Sequence, residues 1–160
     1  MKQKRYEDLL QQLQGIIEGE KNVTSVLANA SALMRSVMGE RFFWVGFYLV
    51  EGDQLVLGPF QGTIACYRIK RGKGVCGTAW EQCQTQVVPD VVQFPGHIAC
   101  SSLSRSEIVV PMTDHDGIVR AVLDIDSTEI NQFDDTDRHY LEQAAQLIAT
   151  QLWNSGEAQL

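Results

Sequence analysis

An α+β fold is predicted for this chain by three observations. Amphipathic helical repeats gather at its two ends, two pairs of β-rich runs are each closed by a short turn, and no strand–helix–strand alternation lies between them. A length of 160 residues suits one domain, spanning 1–160, with a core of its own.

Tyr6, Leu9, Leu10, Leu13, Ile16 and Ile17 recur at helical spacing and predict a helix over about 3–18. Val23, Val26, Leu27, Ala30, Leu33, Met34 and Val37 do the same for 23–38, with Asn22 or Thr24 as cap and Gly39 as stop. The run from Phe42 to Val50 is aromatic and β-branched, and Glu51-Gly52-Asp53 turns it into a second strand, Gln54 to Phe60. A loop with a short strand from Tyr67 to Lys70 follows, then a short helix entered at Gly74 and running to Glu81. Val87 to Val92 reads as a short strand interrupted by Pro89, and Gln93 to Arg105 has no periodicity. Glu107–Met112 and Ile118–Asp126 form the second hairpin across the turn Asp114 to Gly117. The last helix runs from Asp134 to about Asn154 with Leu141, Ala144, Leu147, Ile148 and Leu152 inward, and Asp134 and Asp137 cap it.

Composition narrows the function. A net charge of -7 argues against nucleic acid and anionic membranes as partners. The opening MKQKRYEDLLQQL has no continuous apolar run, so neither a signal peptide nor a membrane span is expected and the expected address is the cytoplasm. In that reducing compartment Cys66, Cys76, Cys83 and Cys100 are not expected to form a structural disulfide framework. They show no Cys-x-x-Cys and no His at ligand spacing, so no metal site is expected. Inert buried thiols or redox-active ones remain.

Chemistry concentrates in a few places. The phrase Gly-x-Ile-Ala-Cys occurs twice, ending at Cys66 and at Cys100, where glycine and small neighbours let a sulfur be approached. Cys76 lies where a glycine-rich turn meets a helix start, a setting that favours a thiolate, whereas Cys83 has none. His97 adjoins the second phrase, either biasing a thiolate or simply solvated. On one strand face Trp44 and Tyr48 flank Gly46, leaving either a slot for a small ligand or ordinary aromatic core. Asp124 and Asp126 share a face with Val122, opposite Leu123 and Ile125, and Glu107 begins the neighbouring strand as a third acid. Such acids raise one another's pKa and suit an ammonium group. A nucleophilic thiol, a resolving thiol, an aromatic slot and an acid cluster together fit reduction of a small zwitterion.

Trp44 to Tyr48, Leu55 to Cys66, Gly72 to Ala79, Gly96 to Cys100, Ser106 to Pro111 and Val122 to Ser127 carry text that closely resembles the free methionine-(R)-sulfoxide reductases, stand-alone GAF domains. The likeness covers nearly the whole chain. It departs from the family pattern at Ser101, Arg105, Arg120-Ala121 and the turn before the last strand. The resemblance implies a six-stranded antiparallel sheet with the N- and C-terminal helices on one face and a loop-covered ligand pocket on the other. It implies thioredoxin-dependent reduction of free L-methionine (R)-sulfoxide with no bound cofactor, Cys100 as nucleophile, Cys66 as resolver and Cys76 as an auxiliary redox cysteine. Trp44, Tyr48, Glu107, Asp124 and Asp126 would bind substrate, and the protein would be a homodimer. The alternative is a non-catalytic GAF module that senses a small ligand or redox state.

Overall fold

A computed structural model describes residues 1–98 and 100–153. Helices α1 (Lys2–Ile17) and α2 (Val23–Met38) precede strands β1 (Trp44–Glu51), β2 (Gln54–Gln61) and β3 (Arg68–Lys70). Then come α3 (Gly74–Gln82), β4 (Gln86–Val88), β5 (Ser106–Thr113), β6 (Val119–Ser127) and α4 (Asp135–Trp153). The six strands form one antiparallel sheet in the order β3-β2-β1-β6-β5-β4. The expected end of the last helix at Asn154 and the expected extent to residue 160 lie outside the described residues.

Alternation along the strands splits the core into two layers. Val45, Phe47, Ile108, Val110, Leu123 and Ile125 point to one face, under the buried stripes of α1, α2 and α4. Trp44, Tyr48, Val109 and Val122 point to the other, where α3 supplies Val75, Ala79 and Trp80. Over their paired residues, 44–49 and 121–126, β1 and β6 are therefore apolar on both faces apart from Asp124 and Asp126. Those acids lie opposite Gly46 and Trp44, on the α3 side of the sheet.

Caps form where the sequence places them. The Asn22 side chain accepts from the Ser25 N–H at 2.9 Å, and Gly39 ends α2 with a positive φ of 67°. Asp134 accepts the Asp137 N–H, while Asp137 accepts the Asp134 N–H in return. Asp137 has a further role with no signature in spacing. Fully buried, it takes hydrogen bonds from Tyr6 Oη at 2.6 Å, Lys2 Nζ at 2.9 Å and Arg41 Nη2 at 3.1 Å, tying α1 to α4.

The expected strand from Val87 to Val92 divides. Pro89 has no N–H for the ladder, so β4 stops at Val88. Asp90 then accepts from the Val92 N–H at 3.1 Å and caps a single 3-10 turn, Val91–Gln93. This turn starts the long loop that carries Cys100.

Candidate active site

Two loops and one helix close over the β1–β6 face. Leaving β2, the chain bends at Gly62, whose φ of 141° suits glycine, and a Cβ there would stand 2.6 Å from Trp44 Cδ1. The loop is then fastened to β1 by two side chains. Trp44 Nε1 donates to the Thr63 carbonyl at 2.9 Å, and Tyr48 Oη donates to the Cys66 carbonyl at 2.9 Å. The second loop, from Phe94 to Arg105, rests Ile98 on the start of α3, where a Cβ on Gly74 would lie 3.0 Å from Ile98 Cδ1. Cys66 and Cys100 meet in a disulfide with Cα atoms 5.4 Å apart, so the two repeated phrases are joined across 34 positions.

Of the two readings left open at Gly46, a ligand slot or aromatic packing, packing is what occurs at the glycine itself. β2 carries one extra residue between its pairings with Gly46 and Tyr48, and this bulge brings Phe60 down onto the glycine. A Cβ on Gly46 would overlap the Phe60 Cβ, and the Phe60 ring stacks on Trp44 with centroids 5.0 Å apart. Glycine here serves close approach of two strands. Gly46→Ala is expected to destabilise the fold by about 1–3 kcal/mol, the usual range for overpacking. Thermal unfolding measures it, and an unchanged midpoint would show that β2 yields at no cost. Trp44 and Tyr48 stay 6.1 Å apart and still line the cavity.

The acids converge as the strand pattern requires. Glu107 pairs directly with Asp126 across β5–β6, and Asp124 lies two residues along on the same face. Helix α3 turns Cys76 inward, because a Cβ on Gly77 would overlap the Lys70 carbonyl and Gly72 N–H donates to the Gly77 carbonyl at 2.9 Å. The Cys76 sulfur and one carboxylate oxygen each from Glu107 and Asp124 lie within 4.8 Å of one another, a donor set that a divalent cation would also suit. Glu107 and Asp124 are buried and Asp126 is half-buried. Asp124 Oδ1 has no hydrogen-bond partner among the described residues, leaving an acceptor at the cavity wall.

Electrostatics follow from that crowding. Burial first, and then the neighbouring carboxylates, push Glu107 well above the usual carboxylate range. Burial and the Asp124 charge do the same to Asp126, and burial raises Asp124 as well, against the hydrogen bonds to Glu107 and Cys76 that favour its charged form. The three acids therefore titrate as one coupled group that retains protons above the usual carboxylate range. The thiolate expected at Cys76 is overturned by the same field. Cys76 is 4% exposed, and burial followed by the charges of Asp124, Glu107 and Asp126 holds it as a thiol. A helix of nine residues beginning two positions earlier cannot offset three acids. Cys83 is exposed at the left-handed end of α3, away from these groups.

A cavity of about 50 Å³ remains among these groups, lined by Trp44, Tyr48, Cys76, Cys100, Glu107, Asp124 and Asp126. All the expected site residues but Cys66 border it directly, and Cys66 joins through its bond to Cys100. Sequence reasoning missed Lys73 and Ser104, which also line it, as does Ser101, noted there only as a departure from the family pattern. Their nearness to Cys76 and Cys100 along the chain is the only signal that points to them. His97 lines the wall as well.

Comparison with known proteins agrees with this architecture. The GAF domain family matches residues 20–152. GAF domain-containing protein A of Dictyostelium discoideum is 53% identical over 148 residues, covering 92% of both chains. The free methionine-R-sulfoxide reductase of Escherichia coli is 49% identical, covering 86% of this chain and 82% of that one. An X-ray structure of free methionine-R-sulfoxide reductase from Neisseria meningitidis in complex with its substrate is 48% identical. It covers 94% of this chain and 90% of that one, with a TM-score of 0.90. On this likeness of sequence and fold, the chain belongs to the free methionine-R-sulfoxide reductase family of GAF domains.

Proposed function

We propose that this protein reduces free L-methionine (R)-sulfoxide to methionine, with Cys100 as nucleophile and Cys66 as resolving thiol. The observation that carries the reading is a Cys66–Cys100 disulfide set at the edge of a cavity floored by three acids. Trp44 and Tyr48 give the methylthio end an apolar wall. The acid cluster, in which Asp124 Oδ1 is open, takes the substrate ammonium. A proton kept on Glu107 or Asp126 is delivered to the sulfoxide oxygen while the Cys100 thiolate attacks sulfur.

The hydroxyl then passes from the methionine sulfur to Cys100 Sγ as methionine leaves with the electron pair of the broken S–S bond, so methionine is reduced and Cys100 is oxidised to a sulfenic acid. The Cys66 thiol displaces water from that sulfenic acid and forms the disulfide. Thioredoxin returns both sulfurs to thiols, so the protein needs an external dithiol and no bound cofactor. Cys76, held neutral beside Asp124, has an auxiliary redox role. We place the protein in the cytoplasm, and among the described residues no helix is long and apolar enough to cross a membrane. A homodimer through the exposed faces of α1 and α4 completes the reading.

The test is methionine release from the separate epimers, with dithiothreitol or with thioredoxin and NADPH. Methionine is expected from the free R-sulfoxide, not from the S epimer or from sulfoxide inside a peptide. Failure of the reduced wild type to form methionine would overturn the proposal in favour of a sensory GAF module.

A further inference from the structure

We propose that Cys76, Glu107 and Asp124 form a binding site for a borderline-soft divalent cation of the zinc type, and that this cation and the sulfoxide substrate exclude each other. The exclusion rests on the reading above, in which the acid cluster takes the substrate ammonium; the metal site itself does not. Its donors are already gathered. The Cys76 sulfur and one carboxylate oxygen from each acid lie within 4.8 Å of one another, and all three residues are buried. Around a tetrahedral zinc, a sulfur at about 2.3 Å and oxygens at about 2.1 Å stand about 3.4–3.6 Å apart. A small contraction therefore brings the three atoms onto one ion. No ligand spacing along the chain announces this set, because its donors come from α3, β5 and β6.

A second observation points to a cation. Asp124 is 5% exposed and lines the cavity, yet its Oδ1 has no hydrogen-bond partner among the described residues. A buried carboxylate oxygen in that position is costly unless a donor or an ion meets it. No basic side chain does so. None of Glu107, Asp124 and Asp126 forms an ion pair among the described residues. The Tyr48 hydroxyl is committed to the Cys66 carbonyl. Lys73 and His97 border the same cavity, but Lys73 is exposed and neither pairs with an acid of the cluster.

The chemistry of the donors selects the ion. Calcium and magnesium seek a full shell of oxygens, which two carboxylates and a thiol do not supply. A thiolate with carboxylates suits zinc, and cobalt(II) as its spectroscopic substitute. The cavity of about 50 Å³ beside the set leaves room for a water as fourth ligand, or for Asp126 to turn in. Binding forms one metal–sulfur and two metal–oxygen bonds, and the protons these atoms hold pass to solvent. Asp124 Oδ1 cannot then also accept an ammonium, and the ion sets positive charge where that of the substrate would lie. The ion is thus a reversible inhibitor, held by two of the acids that recognise the substrate. Cys76 stays free while Cys66 and Cys100 are bridged, so the site persists in the oxidised protein.

Two measurements decide it. Cobalt(II) is added to the oxidised protein, where the free thiols are Cys76 and Cys83. A single bound ion per chain is expected, with a thiolate-to-cobalt charge-transfer band in the near ultraviolet that zinc abolishes by displacement. The band is expected to vanish in Cys76→Ser and to stay in Cys83→Ser. A wild type without the band, or a Cys76→Ser variant that keeps it, overturns the site. Asp124→Asn, close to isosteric, is expected to weaken zinc in calorimetry by about tenfold or more, the least that loss of a supporting group costs a metal site. An unchanged affinity also overturns the site. Exclusion is read in Cys100→Ser protein, which binds the sulfoxide without turning it over. Free methionine sulfoxide at about ten times its own Kd is expected to raise the apparent Kd for zinc about tenfold. An unchanged Kd overturns the exclusion. Absence of methionine formation by the metal-free, reduced wild type would instead refute the enzyme reading, with the cobalt result unaffected.

Discussion

Cys100→Ser is expected to lower methionine formation by about 10⁴-fold or more with every reductant, because no other thiol faces the substrate in an ionisable setting. Cys66→Ser is expected to behave differently. It should release about one equivalent of methionine in a rapid first phase and then stall with thioredoxin, since resolution follows the oxygen transfer. Rapid-quench chromatography of methionine, with enzyme in excess and then substrate in excess, separates the two phases. The contrast rests on geometry: Cys100 borders the cavity, whereas Cys66 reaches it only through its bond to Cys100. Cys76 cannot substitute as nucleophile while burial and three acids keep its thiol protonated. A full first-phase burst from Cys100→Ser would remove it from the nucleophile's role.

Glu107→Gln is expected to have opposite effects on activity and stability. Loss of an acid that holds a deliverable proton and supports the ammonium site should lower kcat/KM by about 10²–10⁴-fold. The ligand-free protein should meanwhile become more stable at neutral pH. The sign follows from the direction of the shift. Glu107 titrates well above the usual 4.5 in the fold, while the unfolded chain titrates near it. Between those values the unfolded state binds fewer protons, so wild-type stability is full below about pH 4.5 and falls as pH rises through the folded value. A neutral amide at this position removes that loss. The unfolding midpoints of wild type and variant should therefore converge in acid and separate toward neutrality, by about 2–4 °C per kcal/mol for a chain of this size. Equal midpoints at neutral pH would show that the Glu107 proton costs nothing to keep.

Much of this is legible in the residues, for reasons that can be named. The stripes of α1, α2 and α4 follow a single period, and the bounds of α2 match the expected 23–38. The alternation of Asp124 and Asp126 against Leu123 and Ile125 places the acids on the face away from the three long helices. Glu107 beside them follows from the second hairpin. What is illegible depends on contacts between distant segments. The bulge that fills the Gly46 slot arises in β2, and nothing near Gly46 announces it. The state of Cys76 is misread from the sequence because a helix start is visible locally, while the acids that reverse its effect come from β5 and β6. The pairing of Cys66 with Cys100 comes from family likeness, not from spacing, and the structure joins them. The two bonds fixing the Cys66 loop end on backbone carbonyls, which no residue type marks.

Those two bonds limit how such a protein can diversify. Trp44 and Tyr48 wall the cavity with their rings and hold the Thr63 and Cys66 carbonyls with their polar ends. A substitution that reshapes the cavity to admit a bulkier sulfoxide also releases the strap carrying Cys66. Substrate range and the rate of reactivation are thus inherited together. A lineage changing its preferred sulfoxide must find a new anchor for that strap in the same step. Selection acting on either property will keep both aromatic residues in place.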